Sequence, residues 1–434
     1  MTSRRSIRVA MSATTLVLAG ALVAACGSDS TSGGSGGGAA TVWALQDTTL
    51  NPIEQASIDR FNKDGDGKAK LVTFANDPYK QQLRTSINGS KAPDVFFNWG
   101  GGNLKPYVDA GKIEDLTPLL DKNPELKDAF LPSVAAGAQF DGKTYGLPMR
   151  GVQPVLLFNN KKVLESAGIS ESPKTWDELL ADVDALKAKG VTPIALAGSQ
   201  SWTELMWAEY LLDRVGGPEV FQNIRDGKNG GWNQPEVVQA MTMLNDLIKR
   251  GAFGNKFQSV GYDVGGASTI LATDQAGFHL MGSWEYTNQL GQSPDFVKAG
   301  NLGYGAFPAI DGGKGDPSNL VGNVSNFYSV TKDSKSKDAA LDYVAKTVND
   351  PTYVSDLIKA GDVMPLKNAR DQIAKTDNAD YGVAIFDMTS NAKNFQLSWD
   401  QDLKSDEATK MLTELSNLFN GKQTPEGFVK ALAG

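Results

Sequence analysis

Apolar positions along this chain change their period again and again, and each change marks an element. Thr41-Val42-Trp43-Ala44-Leu45 is an apolar run of strand length. Asn51-Pro52-Ile53-Glu54 then predicts a helix start: Asn51 can cap, Pro52 suits the first turn, and Glu54 sits where a capping box needs it. The helix should end at Asp64-Gly65-Asp66-Gly67, which reads as a plain turn because the twelfth position of a calcium loop would fall on Ala75. Lys70-Leu71-Val72-Thr73-Phe74 predicts a second strand. After Asp77-Pro78, Tyr79, Leu83 and Ile87 recur every four residues, a helical stripe. Asp94-Val95-Phe96-Phe97 predicts a third strand. Strands and helices alternating at this spacing predict an α/β fold, with a parallel sheet covered on both faces.

The alternation breaks at Tyr145-Gly146-Leu147-Pro148-Met149-Arg150-Gly151, and Val155-Leu156-Leu157-Phe158 starts a second unit. Thr175-Trp176-Asp177-Glu178 is a capping box, which makes Trp176 a structural anchor at a helix start. Thr192-Pro193-Ile194-Ala195-Leu196 predicts a strand. Helices come next over 203–215, with Trp207 at a core position, and over 235–250, with Val237, Met241, Leu244 and Ile248 as the core stripe. Residues 276–281 read as a buried strand that runs into Gly282-Ser283-Trp284-Glu285, and 302–307 and 326–331 as further strands. Asp311-Gly312-Gly313-Lys314-Gly315 predicts a surface turn and lacks phosphate-loop spacing. Beyond the helix expected over 337–349 only helices are predicted, most clearly over 407–420 and 425–432.

The amino terminus has a different pattern. Arg4, Arg5 and Arg8 precede an uncharged run from Val9 to Ala25, then comes Cys26, the single cysteine of the 434 residues. A basic start, an apolar stretch and small residues before a cut make residues 1–25 a signal peptide. Ala24-Ala25-Cys26 resembles the lipobox of bacterial lipoproteins, which implies cleavage before Cys26 and lipidation of its thiol. The Gly/Ser-rich stretch 26–40 cannot bury apolar surface and predicts a flexible tether above a membrane. From Thr41 onward the chain is longer than one core usually serves, so two lobes are expected.

Composition then narrows the chemistry. The formal net charge is −8, and the leader removes three further positive charges. An acidic surface excludes a nucleic-acid partner, which would require a basic stripe. One histidine, His279, excludes histidine triads and histidine-based zinc sites, and its apolar surroundings predict a packed, hydrogen-bonded core residue. No metal and no cofactor are expected.

Ligands of open parallel sheets bind beyond the carboxyl ends of the strands. Gln46 and Asp47 follow the first strand, Asn76 and Asp77 the second, and Asn98 and Trp99 the third. Gly100-Gly101-Gly102 comes next, and would let a ligand approach the backbone. The second unit contributes Trp202, and Trp284 with Glu285. Arg150 and Asn323 lie at breaks between the units, and Trp399-Asp400 in a late loop. Indole rings match the apolar C–H faces of a pyranose, and amides, carboxylates and a guanidinium match its hydroxyls. Core packing competes for each tryptophan, a helix cap for Asp77 and a buried ion pair for Arg150.

The order of the lipobox, the tether, three βα units, Tyr145-Gly146-Leu147-Pro148 with Leu156-Leu157-Phe158-Asn159, and Ala276-Gly277-Phe278 with Met281-Gly282-Ser283-Trp284 resembles the extracellular solute-binding proteins of sugar ABC importers, the maltodextrin-binding-like branch. The resemblance implies a two-lobe, periplasmic-binding-protein-like fold of type II. Each lobe would be a mainly parallel sheet flanked by helices, with strands crossing between lobes. It places the N-terminal lobe at 41–148 and 322–350, and the C-terminal lobe at 149–321 and 351–434. It further implies a monomeric, lipid-anchored receptor on the outer face of the cell membrane, which passes an oligosaccharide to ABC permease subunits without chemistry; a β-linked disaccharide such as xylobiose comes first, with cellobiose, chitobiose and α-glucosides open beside it. A surface glycoside hydrolase is the competing expectation, since two suitably spaced carboxylates would suffice for it.

Overall fold

The computed structural model of the chain describes residues 38–64 and 67–433. The expected signal peptide, Cys26, most of the tether and the turn at Gly65-Asp66 lie outside the described residues.

Among the described residues, thirteen strands form two sheets and one hairpin. In chain order they are β1 (Ala40–Leu45), β2 (Ala69–Phe74), β3 (Val95–Asn98), β4 (Gln139–Phe140), β5 (Lys143–Thr144), β6 (Leu147–Pro148), β7 (Gln153–Asn160), β8 (Thr192–Ala195), β9 (Ala276–Gly282), β10 (Leu302–Gly305), β11 (Leu320–Asn323), β12 (Phe327–Val330) and β13 (Phe395–Leu397). The first sheet has the order β2-β1-β3-β12-β6, the second β13-β11-β7-β9-β8, and β10 also pairs with β7. The chain passes from the first sheet to the second between β6 and β7, and returns between β11 and β12.

The expectation of mainly parallel sheets needs correction. β1 runs parallel to β2 and β3, and β8 to β9, as the helical connections require. But β12 is antiparallel to β3 and β6, and β7 is antiparallel to β9, β10 and β11. Strands that arrive straight from the other sheet take their direction from the crossing, not from a helical return. The expectation of no late strand is also corrected. Phe395–Leu397 pairs parallel with β11 and is too short to show a period.

Local chemistry explains the elements that surround the cleft. β7 is buried at all eight positions, which fits a central strand covered on both faces. The capping box of the helix Trp176–Ala188 is complete, and Trp176 stacks on Phe307. Asn51 acts differently from expectation. Its side chain reaches back to the loop, accepting from the Asp47 N–H at 2.6 Å and donating to the Leu45 carbonyl at 2.9 Å and to Glu54 at 2.7 Å. In the helix Pro235–Lys249 the core stripe is Val237, Ala240, Met241, Leu244 and Leu247. Ile248 lies one step off it and is half-buried.

The helix Ser201–Gly216 is buried from Thr203 onward and forms the centre of the second half, with Trp207 inside the core. It carries an unusual group. Glu204 is fully buried, and neither carboxyl oxygen makes a hydrogen bond. Burial pushes its carboxyl up to about 8, and the nearby Ser416 hydroxyl offsets this only in part. In the unfolded chain the group titrates near 4.5, so between 4.5 and 8 unfolding releases a proton and stability falls as pH rises. Glu204→Gln is therefore expected to be more stable than the parent by on the order of a few kcal/mol above pH 8, and to lose that advantage toward pH 4.5. Thermal unfolding of both proteins at pH 5 and pH 8.5 checks this; the same difference at both values would contradict it.

Candidate ligand cleft between the two sheets

The parallel strands of each sheet end on one shared cavity. Gln46 and Asp47 reach it after β1, Asn76 after β2 and Trp99 after β3. From the other side come Trp202 after β8, Trp284 after β9, Asn323 at the end of β11 and Asp400 after β13, while Arg150 enters from the first crossing.

Aromatic rings from both sheets shape the walls. Trp202 and Trp284 meet at 6.4 Å between centroids and 49°, and Tyr262 stands edge-on to Trp202 at 5.2 Å. On the first sheet Trp99 is braced edge-on by Phe97 at 5.0 Å and by Tyr79 at 6.0 Å. Gly282 has a steric role here. A Cβ at that position would lie 1.9 Å from the Trp284 ring, so only glycine lets the ring fold back over the backbone. Ser283 fixes the turn by donating to the Val152 carbonyl at 3.0 Å, and its own carbonyl accepts from Tyr381 at 2.6 Å.

Four expected residues are not brought to the cavity. Asn98 is buried and holds the end of β3, donating to Ser329 Oγ at 2.8 Å and accepting from the Gly100 N–H at 3.0 Å. Glu285 is fully buried, accepts from Ser268 and Gln289 at 2.8 Å, and stands 4.0 Å from His279 Nε2. Trp399 is fully buried and stacked on Phe221 at 4.9 Å and 6°. Asp77 is exposed in the first turn of the helix Asn76–Ser86, whose cap position is Ala75. Each of the four is the immediate neighbour of a cavity residue. Consecutive side chains diverge by about 100° on a helix and about 180° on a strand, and in these four pairs the divergence takes one side chain away from the cavity. His279 is the packed core residue expected, with Nδ1 2.9 Å from the Ala195 carbonyl.

The glycine run serves packing, which corrects the expectation that it exposes backbone to a ligand. A Cβ at Gly101 would lie 2.2 Å from Leu397, and one at Gly102 2.2 Å from the Asp402 carbonyl. These glycines admit the segment after β13, which carries Asp400 and Gln401 into the cavity. Glu209 anchors the same segment, accepting from Ser398 Oγ at 2.6 Å and the Trp399 N–H at 2.7 Å.

Sequence reasoning missed Lys80, Gln153, Tyr262, Asp263, Asn288, Asn326 and Gln401, all of which line the cavity. Lys80 was legible in principle, because it lies one helical turn beyond Asn76 on the same face. The others depend on loops and crossings that meet only in the fold.

Charge in the cavity is nearly all paired. Lys80 Nζ lies 2.9 Å from Asp400 and 5.0 Å from the centre of the Trp99 ring. Arg150 donates from Nη2 and Nε to Glu54 at 2.7 and 3.1 Å, and its Nη1 faces Asp47 at 3.6 Å. Burial works against the Arg150 charge, but the two carboxylates outweigh it and hold the group protonated well above the usual range. Asp263 accepts from Gln200 at 2.7 Å; burial and then Asp77 raise its carboxyl. In contrast, several residues that line this cavity carry a buried neutral polar atom with no hydrogen-bond partner: Asn76 Oδ1, Trp202 Nε1, Asn323 Oδ1, Asn326 Nδ2 and Gln401 Oε1. A buried polar atom left without a partner is costly, so these side chains gain from any rearrangement that turns the atom toward a hydrogen-bonding ligand. Among the described residues no group of three His, Cys, Asp or Glu side chains could hold a metal ion, and no helix is long and apolar enough to cross a membrane.

Comparison with known proteins agrees with this architecture. The diacetylchitobiose binding protein DasA of Streptomyces coelicolor is 28% identical over 355 residues, 80% of this chain and 79% of the relative. The sn-glycerol-3-phosphate-binding periplasmic protein UgpB of Yersinia pseudotuberculosis is 23% identical and covers 88% of each. Among solved structures, one from work on xylan utilization by the thermophilic bacterium Caldanaerobius polysaccharolyticus superposes with a TM-score of 0.82 at 26% identity, covering 91% of this chain and 98% of that one. A chitin oligosaccharide binding protein gives 0.80 at 25% identity, covering 91% and 97%. The two-lobe periplasmic solute-binding fold expected from the sequence is therefore the fold of this chain. The family model for bacterial extracellular solute-binding proteins matches residues 46–346, and this chain belongs to that family.

Proposed function

We propose that the protein is the sugar receptor of an ABC importer, and that it captures a neutral, β-linked oligosaccharide in the cleft between its sheets. The observation that carries this reading is the composition of the cavity. Indole rings from both sides converge with unpartnered amide and indole polar atoms, while the cations on the walls are already paired. Flat apolar faces and neutral hydrogen-bonding groups are what a pyranose chain requires. The relatives named for diacetylchitobiose and chitin oligosaccharides, and the structure from xylan utilization, support a β-linked ligand, with xylobiose first and chitobiose and cellobiose next. An anion such as the glycerol phosphate named for UgpB would need a cation free to receive it, and both Lys80 and Arg150 already face carboxylates.

The ligand-contacting set in this reading is Gln46, Asp47, Asn76, Trp99, Arg150, Trp202, Trp284, Asn323 and Asp400, joined by Lys80, Tyr262, Asn288, Asn326 and Gln401. The lobes follow the two sheets and divide at the crossings 149–152 and 324–326. The helix Pro351–Lys359, expected from the sequence in the C-terminal lobe, is assigned in this reading to the first, because Asp350 meets Arg60 and Tyr353 donates to the Met149 carbonyl at 3.0 Å. Sugar bound to one lobe gains polar contacts from the other, so binding favours the closed form that a permease recognises. No covalent step is part of this reading, in line with the binding-protein family to which the chain belongs. Cleavage before Cys26 and lipidation of its thiol hold the receptor, as a monomer, on the outer face of the membrane.

Three measurements test this. Xylobiose, diacetylchitobiose or cellobiose should raise Tm in proportion to ln(1 + [L]/Kd), and indifference to every carbohydrate would reject the reading. Trp284→Ala should weaken binding of that disaccharide by on the order of 2 kcal/mol in calorimetry with little change in Tm, whereas Trp399→Ala should mainly lower Tm. Cys26→Ser should move the protein from the membrane fraction to the medium; retention in the membrane would count against the anchor.

A further inference from the structure

The sequence presents Glu54 only as a helix-start residue, yet it is the buried partner of a cavity residue. Its side chain is fully buried, Oε1 accepts both guanidinium bonds of Arg150, and Oε2 accepts from Asn51 at 2.7 Å. Asp47 adds a second carboxylate on the cavity side of the same guanidinium. One cation thus faces two anions, when one would satisfy an ion pair. The third carboxylate nearby, Asp362, is engaged elsewhere, accepting from the backbone N–H groups of Gly151 at 2.8 Å and Val363 at 3.1 Å. Among the described residues the only other cation on the wall, Lys80, is taken by Asp400.

We infer that Glu54 and Asp47 set the charge selectivity of the cleft: by over-neutralising Arg150 they make the cavity refuse anionic ligands and accept neutral sugars. This rests on the carbohydrate reading above and adds what that reading leaves open, namely which residues discriminate a sugar from its acidic counterpart. A guanidinium at the cavity wall is the group best suited to grip a carboxylate or phosphate. Here its Nε and one Nη2 donor are consumed by Glu54, and its field is cancelled before a ligand arrives. An incoming carboxylate would meet Asp47 directly and would find the Arg150 charge already offset by Glu54 behind it, in a site where burial weakens solvent screening. Glu54 acts through Arg150 and is a positioning residue; Asp47 faces the ligand itself. Specificity of this kind is built from repulsion of the wrong ligand as much as attraction of the right one.

The test uses the full mature chain, its Glu54→Gln variant, which keeps the shape and an oxygen that can accept from Arg150 but removes the charge and the acceptor for Asn51 Nδ2, and its Asp47→Asn variant. Each is titrated calorimetrically with cellobiose or xylobiose, with the matching aldobiouronic acid, and with inorganic phosphate. In both variants the affinity for the uronic acid relative to the neutral disaccharide should rise at least about tenfold, and phosphate should bind where it does not bind the parent. Folded variants whose preference stays at the parental ratio and which ignore phosphate would overturn the inference. A purely structural Glu54 would lower Tm without moving that ratio. Should Glu54→Gln fail to fold, Asp47→Asn decides, because Asp47 lies in a partly exposed loop. If the parent binds no sugar at all, the carbohydrate reading fails, and the phosphate titrations still decide the charge argument.

Discussion

The buried pair between Arg150 and Glu54 is the contact on which the geometry of the cleft depends. Arg150 sits in the short crossing between β6 and β7, where the chain leaves one sheet for the other. Its neighbours are tied on every side: Met149 by Tyr353, the Arg150 carbonyl by Ser325 at 2.8 Å, and Gly151 by Asp362. Removing one partner of a buried ion pair costs roughly 3–5 kcal/mol, because the other charge is left desolvated and alone. The crossing therefore has one place to stand. Because it fixes where β7 begins, it also fixes the cavity ends of β9 and β11, which pair with β7, and with them Trp284 and Asn323.

The same economy appears where the segment after β13 meets the first sheet. That segment is held from behind by Glu209 and in front by Lys80, and the glycines at 101 and 102 make room for it. A carboxylate buried as deeply as Glu209, pushed up to about 8 chiefly by desolvation, is a poor contributor to stability by itself. Its use is to aim Ser398 and Trp399 so that Asp400 and Gln401 face the cavity. Stacking of Trp399 on Phe221 does the rest from the apolar side.

Much of this was legible residue by residue. The periods of Tyr79, Leu83 and Ile87, the capping box at Thr175 and Glu178, and the unbroken apolar run of β7 each express a local rule that the chain obeys without outside help. Asp47, Asn76, Trp99 and Trp284, picked out just beyond strand ends, lie on the cavity wall, because parallel strands end on a common edge. The same rule could not separate Trp284 from Glu285 or Asp400 from Trp399. Adjacent residues share a location in sequence and differ only in direction.

The chain by itself therefore determined the kind of element, the alternation that makes a two-sheet α/β fold, and the neighbourhood of the cleft. These follow from backbone sterics and hydrophobic period, which act over a few residues. Tertiary structure alone decided the strand directions set by the crossings, the pairing of Glu54 with Arg150 across 96 residues, the entry of Tyr262 and Asn326, and the use of Gly101 and Gly102 as a seat for Leu397 and Asp402. Close packing and charge pairing depend on distances between segments far apart in the chain, and no local pattern encodes those distances.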